Sequence, residues 1–335
     1  MLGRVLAAIL TVAVAVGLLV IAWPQLFGLA QTPVIAQIVS LRGIAVCVAL
    51  LVLVLLLLAT VMSPRARRFA GVIAVVVLAF GGVQLAVLAT RGAATAALPD
   101  AASGDITVLS WNTLGDSPGT EAIAKLAEAQ HADVIVLAET SLATAQAVAQ
   151  QLGAAGMPMQ VLHVSYDQVS KARTTDLLIS TRLGDYRDAS GLHTTDTLPT
   201  VYALPVDGSG PTFIATHVVS PVPGEMAGWR QGLRWDADHC VGDTIAAGDF
   251  NSTLDHWSGL GANGGDLGAC HDAAKATGSA AVGSWPTKLP TLLGAPIDHV
   301  LATPQWTIAG FRVIDTEDGA GSDHRPVVAR LTPAG

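Results

Sequence analysis

The sequence predicts an α/β domain built as a sandwich, with sheets inside and helices outside, preceded by three membrane-spanning helices. Three observations predict it. No Asp or Glu occurs before Asp100, and the first ninety residues are nearly all apolar. Short apolar runs follow, several ending in a polar cluster: Trp111-Asn112, Glu139-Thr140, Thr216-His217, Asp249-Phe250-Asn251. Strand-like and helix-like segments alternate early in this region, and strand-like segments dominate later. A doubly wound sheet is the competing arrangement, but Asn251–Pro296 lacks the regular helices it needs.

Val5–Trp23, Gly43–Met62 and Phe69–Thr90 are the expected spans. Each is long enough to cross about 30 Å of hydrocarbon at roughly 1.5 Å per residue. A signal peptide accounts only for the first, because the other two lie too deep in the chain. Arg4, Arg65, Arg67 and Arg68 flank the spans on one side, and only Arg42 and Arg91 on the other. The positive-inside rule then puts the amino terminus in the cytoplasm and the distal domain outside. The span interiors carry no charge and only Gln84 as a strong polar group. That argues for anchoring and against a channel or transporter, whose paths need more polar groups.

Residues 92–104 are rich in Ala, Thr and Ser and read as a tether, leaving 105–335 as the distal domain. Cys47 falls inside the second span. Cys240 and Cys270 form either a disulfide, which an outside compartment permits, or two separate buried thiols.

In the distal domain Ile106–Ser110 reads as a strand. Thr120 caps an expected helix over Glu121–Gln130, with Ile123, Leu126 and Ala127 on one face. Val134–Ala138 is continuously apolar, as a strand covered on both faces is. A helix follows over Ser141–Leu152. Gln160–Val164, Thr175–Ile179, Thr200–Leu204 and Thr212–Ala215 read as strands, the last two around the turn Asp207–Gly210. A helix is expected after Pro223 to about Cys240. Thr244–Ala247 is the next strand and Asn251–Thr287 mostly loop. Pro296–Leu301, Trp306–Phe311 and Val327–Leu331 complete the strands.

The polar clusters carry the chemistry. Glu139 at a buried strand end needs a partner. A hard divalent cation is one partner, and a helix cap or a salt bridge is the other reading. Asn112 is a neutral ligand or a turn residue. Asp249 and Asn251, two apart, point the same way in an extended chain, with Phe250 turned into the core. They either hold a water and a phosphoryl oxygen or form an Asx-turn. Asp323-His324 and Asp298-His299 each set a carboxylate beside an imidazole, which raises ring basicity and fixes the tautomer. Acidic, histidine-bearing surface turns are the other reading.

At these residues the chain resembles the endonuclease/exonuclease/phosphatase superfamily, the pancreatic-deoxyribonuclease-like fold, as a bacterial-type member with a membrane anchor. The strings are Val108-Leu-Ser-Trp-Asn112, Val136-Leu-Ala-Glu-Thr140, Ala215-Thr-His217, Ala247-Gly-Asp-Phe-Asn251, Ser284-Trp-Pro-Thr287, Pro296-Ile-Asp-His299 and Gly321-Ser-Asp-His-Arg-Pro326. They run in the family's order from about Asp105 to Leu331. The resemblance implies a four-layer α/β sandwich with two central, mostly antiparallel sheets. It implies magnesium, with manganese as a substitute, held by Glu139 with Asn112 and Asp323. It implies that Asp249 orients the attacking water and that Asn251 and His217 contact the phosphate. Asp298 would support an imidazole, His217 by preference. His324 would act as base or transition-state stabiliser.

The expected reaction is metal-assisted hydrolysis of a phosphodiester or phosphomonoester. Residues 93–335 hold 12 basic against 26 acidic side chains, a net −14. Duplex affinity comes mainly from basic groups neutralising phosphates. This balance favours a lipid head group or a small phosphoester over DNA or RNA. An extracytoplasmic nuclease and a catalytically inactive binding or signalling domain are the alternatives.

Overall fold

The computed structural model describes residues 2–64, 67–166, 170–191 and 193–335. Arg65, counted above among the cytoplasmic arginines, lies outside them. The chain divides into two compact units, residues 1–91 and 92–335.

The first unit holds α1 (Leu2–Ala22), the short α2 (Ile35–Ser40), α3 (Arg42–Met62) and α4 (Arg67–Arg91). α1, α3 and α4 are long and apolar enough to cross a membrane. The segment between α1 and α3 contains a 3-10 turn, Pro24–Phe27, besides α2. Ala49 of α3 packs on Ile73 and Val77 of α4, with Val14 and Leu18 of α1 against them. Most other Leu and Val side chains of these helices are exposed, Leu50, Leu51, Val54 and Leu55 among them. A continuous apolar surface of this kind is what a bilayer covers and water does not. Arg42 and Gln84 are buried together, the guanidinium donating to the Gln84 amide oxygen and to Ala22 O. The one strong polar group inside the spans thus has a partner within the bundle.

The second unit is a sandwich of two six-stranded sheets. The first contains β1 (Ile106–Asn112), β2 (Val134–Ala138), β3 (Met159–Ser165), β4 (Thr174–Ser180), β11 (Trp306–Val313) and β12 (Val327–Pro333), in the order β11-β12-β1-β2-β4-β3. The second contains β5 (Tyr186–Asp188), β6 (Val201–Pro205), β7 (Thr212–His217), β8 (Thr244–Asp249), β9 (His271–Asp272) and β10 (Asp298–Ala302), in the order β5-β6-β7-β8-β10-β9. Each sheet has one parallel pair, β1–β2 and β7–β8, and is otherwise antiparallel. Both parallel pairs need a crossover, and α5 (Gly119–Gln130) and α7 (Met226–His239) supply it. α6 (Leu142–Ala154) links β2 to β3, and the single-turn α8 (Ala273–Ala276) sits in the stretch expected as loop.

Strand alternation sorts side chains between two apolar layers. Val108, Val136, Leu177, Phe213, Ala215, Ile245, Ala247 and Val300 meet between the sheets. Leu109, Trp111, Ile135, Leu137 and Leu178 face the other way, onto Ile123 and Leu126 of α5 and Ala145 and Val148 of α6. α5 starts at Gly119 and has no side-chain cap, so Thr120 is not the N-cap. Ser141 does cap α6, accepting from Thr144 N.

Cys240 and Cys270 form a disulfide with Cα atoms 5.6 Å apart. Residues 92–104 lie against the sandwich. Ala94 N donates to Gly278 O, Ala281 N donates to Gly92 O, and the Arg330 guanidinium donates to Pro99 O.

Candidate active site

Four inner-facing rows of the sandwich change from apolar to polar at the same end. Val108 leads to Asn112 in β1, Phe213 and Ala215 to His217 in β7, Ile245 and Ala247 to Asp249 in β8. Val300 leads back to Asp298 in β10. Register keeps them together, because His217 pairs with Asp249 and Asp249 with Asp298. All four are buried. Glu139 follows β2, where its φ of 55° turns the chain out of the strand. Left-handed backbone at a non-glycine residue is strained and collects at functional sites. Asn251 shares that feature, with φ 46°.

Asn112 Nδ2 donates to Glu139 Oε1 at 3.0 Å and to Asp249 Oδ2 at 3.1 Å. Its Oδ1 accepts from Leu114 N at 3.0 Å, so the amide nitrogen faces the carboxylates and Asn112 is a donor to them, not the metal ligand expected. His217 Nε2 lies 3.7 Å from Glu139 Oε1 and 3.8 Å from Asp249 Oδ2. Asn251 N donates to Asp249 Oδ1 at 2.8 Å, and its Nδ2 donates to Asp249 Oδ2 and to Val218 O. Asp249 and Asn251 therefore share a side and also close an Asx-turn. Phe250 is buried between Trp257 and His299, as the alternation requires.

The imidazole partners differ from the expectation. Asp298 Oδ2 bonds His324 Nδ1 at 2.9 Å and does not brace His217. His217 Nδ1 has no hydrogen-bond partner among the described residues. Neither neighbouring Asp–His couple is a pair. Asp298 and His299 are successive strand residues with opposite facings, and His299 Nδ1 bonds Asp272 instead, at 2.7 Å. Asp323 Oδ2 accepts from Trp285 Nε1 at 2.9 Å, while His324 turns inward and sets Nε2 3.7 Å from Asp249 Oδ2.

A second tier holds the His324 loop. Ser322 Oγ donates to Asn112 O at 2.6 Å and accepts from His324 N. Trp111 Nε1 donates to His324 O. Buried Arg325 donates to the carbonyls of Gly283, Pro286, Thr287 and Leu289 and pairs with Asp318. Sequence reasoning gave Ser322, Trp285 and Arg325 no such work. Their signal was membership of the Ser284–Thr287 and Gly321–Pro326 strings.

Burial and neighbouring charge separate the protonation states. Burial pushes the Asp249 carboxyl up to about 7, against the pull of His324. Burial alone would lower His324, but the Asp298 and Asp249 carboxylates outweigh it and hold the imidazole at about 10. Burial, helped by the His324 charge, pushes His217 down to about 3. Without a cation in the site, these shifts leave His324 charged and His217 neutral at neutral pH.

The donor set fits a divalent cation. Asp249 and Asp298 bring carboxylate oxygens within 4.8 Å of each other, with the charged His324 ring against both. Glu139 adjoins them through Asn112, and Asp298 Oδ1 and Asp323 Oδ1 have no hydrogen-bond partner among the described residues. Carboxylate oxygens left without a donor, as these two are, suit a hard cation.

Fold and site together define a class: a two-sheet α/β sandwich whose paired sheet ends present acids, amides and imidazoles. The model of the Endonuclease/Exonuclease/phosphatase family matches residues 109–324, and the chain belongs to that family. Its members generally hydrolyse phosphoester bonds. Solved structures agree in fold. An endonuclease/exonuclease/phosphatase from Beutenbergia cavernae has 20% identity over 69% of this chain and 72% of its own, TM-score 0.53. The family protein from Bacteroides vulgatus has 17% identity over 69% and 99%, TM-score 0.50. D. rerio TDP2 complexed with a single-strand DNA product has 15% identity over 69% and 100%, TM-score 0.51. No curated protein matches the chain.

Proposed function

We propose that this protein is a membrane-anchored, outward-facing, metal-dependent phosphoesterase that cleaves a phosphodiester or phosphomonoester by direct attack of water. The observation that carries the reading is the convergence of Asn112, His217, Asp249 and Asp298 at one end of the sandwich, with Glu139 and His324 closing on them.

Glu139 would hold magnesium, or manganese in its place, with Asp323 as a further carboxylate, while the Asn112 amide nitrogen orients Glu139. When bound, it neutralises charge on the phosphoryl oxygens and acidifies water. Asp249, poised near neutrality, accepts from the attacking water and orients it. Asn251 holds Asp249 in place and faces the phosphate. Neutral His217 donates through Nε2 to a phosphoryl oxygen. His324, protonated at neutral pH and braced by Asp298, acts as a cationic donor to the developing charge and not as the base. No side chain forms a covalent intermediate.

The arginine distribution supports a cytoplasmic amino terminus, and the Cys240–Cys270 disulfide supports an oxidising compartment for the domain. A lipid head group or a small phosphoester is the favoured substrate. The net charge of −14 disfavours duplex DNA. Two basic groups near one another in sequence are also already paired, Lys171 with Asp116 and Arg182 with Asp133. An extracytoplasmic nuclease is the second reading, favoured by the single-strand DNA product bound to D. rerio TDP2.

The test is hydrolysis by the full chain in detergent, with magnesium or manganese present or chelated. Plasmid DNA, single-stranded DNA, RNA, a bis-aryl phosphodiester, sphingomyelin and phosphoinositides are offered. Metal-dependent turnover of one class, abolished in Glu139→Ala and His324→Ala, is expected. A folded protein that turns over nothing and binds no magnesium sinks the catalytic reading and leaves a binding domain.

A further inference from the structure

Away from the catalytic end, a second recess of about 640 Å³ opens beside the start of β1. Pro99, Asp100, Asp105, Arg182, Arg312 and Arg330 line it. Sites for small ligands occupy roughly this volume. Thr107 at the recess and Asn112 at the catalytic end lie five residues apart on one strand, about 17 Å at strand rise. The two sites are therefore separate.

The recess holds three arginines and, with Asp133, three aspartates, so its charges sum to zero but are not all paired. Arg182 pairs with Asp133. Arg330 gives its guanidinium to neutral acceptors, Thr107 Oγ1 and Pro99 O. Arg312 makes no hydrogen bond or ion pair among the described residues. Two cationic groups thus stand without a carboxylate. Two carboxylates accept from no cationic side chain, although Arg182 donates to the backbone oxygen of Asp105 and lies in its field. Asp105 is 4% exposed; its Oδ2 accepts from Ala102 N and its Oδ1 has no hydrogen-bond partner among the described residues. Asp100 is exposed at the rim. A buried acceptor without a donor is costly, and a ligand that supplies one is favoured.

We propose that this recess binds the head group of a bilayer lipid carrying both a phosphodiester and a primary amine, of the phosphatidylethanolamine kind. The inference rests on reading α1, α3 and α4 as membrane spans. Arg312 and Arg330 take the phosphate, and Asp105 and Asp100 take the amine. A simple anion satisfies the arginines and meets the acids; a simple amine does the reverse. Choline is disfavoured because a quaternary ammonium has no N–H for Asp105. Choline sites are also built from aromatic faces, and no Phe, Tyr or Trp lines the recess. The membrane is the fitting source. The lining begins at Ala97, six residues after Arg91 ends α4. Six residues span at most about 20 Å when extended, so the chain length lets the recess reach the head-group zone.

The full chain is placed in nanodiscs that contain phosphatidylethanolamine or phosphatidylglycerol, each with an unmodified head group and a diazirine beside the glycerol. Cross-links are mapped by mass spectrometry. The ethanolamine probe is expected to label peptides covering residues 97–107 and 129–133, and the glycerol probe to do so several-fold less. Arg312→Ala lowers the first signal about tenfold, the weight of one charge-assisted hydrogen bond. Both probes label α1, α3 and α4. Equal labelling of the recess by the two lipids, or labelling indifferent to Arg312→Ala, overturns the proposal. Labelled helices with an unlabelled recess overturn it while sparing the membrane reading, and unlabelled helices overturn both. Phosphoester turnover is not part of the readout, so the catalytic reading stands or falls separately.

Discussion

His324 shows how a single side chain acquires its chemistry from elsewhere in the chain. Its sequence neighbour Asp323 is turned toward Trp285, and its working carboxylate, Asp298, comes from β10. Asp298→Asn keeps an acceptor near Nδ1 but removes the charge that holds the imidazole up. The His324 pKa is expected to fall from about 10, and kcat to drop by about 10²–10⁴. NMR titration of the ring and steady-state kinetics read the two effects. An unchanged ring pKa would remove His324 from the cationic role assigned to it. At this scale the sequence was legible in residue type and opaque in partnership. Asp249, Asn251 and Glu139 were visible as acids and amides at strand ends. Which oxygen faced which nitrogen was not visible, because that depends on side chains up to 137 residues apart, as for Asn112 and Asp249.

Elements carry the next level of constraint. β7 and β8 run parallel, and Gly248 lies opposite Thr216. Gly248 has φ 149°, and a Cβ there would sit 1.9 Å from Thr216 O. The backbones can approach this closely only without that carbon, and the approach sets Asp249 beside His217. Gly248→Ala is therefore expected to destabilise the domain by about 2–4 kcal/mol. It should also lower activity in whatever fraction folds. Thermal unfolding and activity per folded molecule measure the two effects, and a variant with wild-type stability refutes the close-packing account. Most elements were legible from periodicity. Val134–Ala138 is the strand expected, residue for residue. Tyr186–Asp188 escaped notice because a three-residue edge strand is too short for a pattern. β9 and α8 escaped because Asn251–Thr287 is rich in glycine and its order comes from contacts outside it, such as His299 with Asp272.

Stability of the whole sandwich should depend on pH through a group remote from the catalytic carboxylates. Asp236 on α7 is buried, its one side-chain bond coming from Thr216, and burial raises its pKa to about 8. An unfolded chain returns it to its ordinary 3.8. The folded state thus binds more protons than the unfolded state between those values, and stability falls as pH rises through them. The contribution is fully present below about pH 4 and lost by about pH 8. Asp236→Asn should narrow the gap in stability between pH 5 and pH 8.5 by a few kcal/mol. Tryptophan fluorescence during thermal unfolding in detergent reports it, since six of the seven tryptophans lie beyond residue 91. An unchanged gap would show that Asp236 ionises freely in the folded protein.

By itself the sequence determined the split between an apolar, charge-poor amino-terminal unit and an acidic α/β domain. It also determined the order of most of the strands along the chain and the identity of most polar groups at their ends. Those features are local: they follow from composition, from periods of two and 3.6 residues, and from short strings. Only the tertiary structure decided that Asp298 serves His324, that His299 belongs to Asp272, and that residues 92–104 lie on the sandwich. Each depends on register between distant strands and on packing between sheets, and one residue of register reverses the facing of every side chain in a strand.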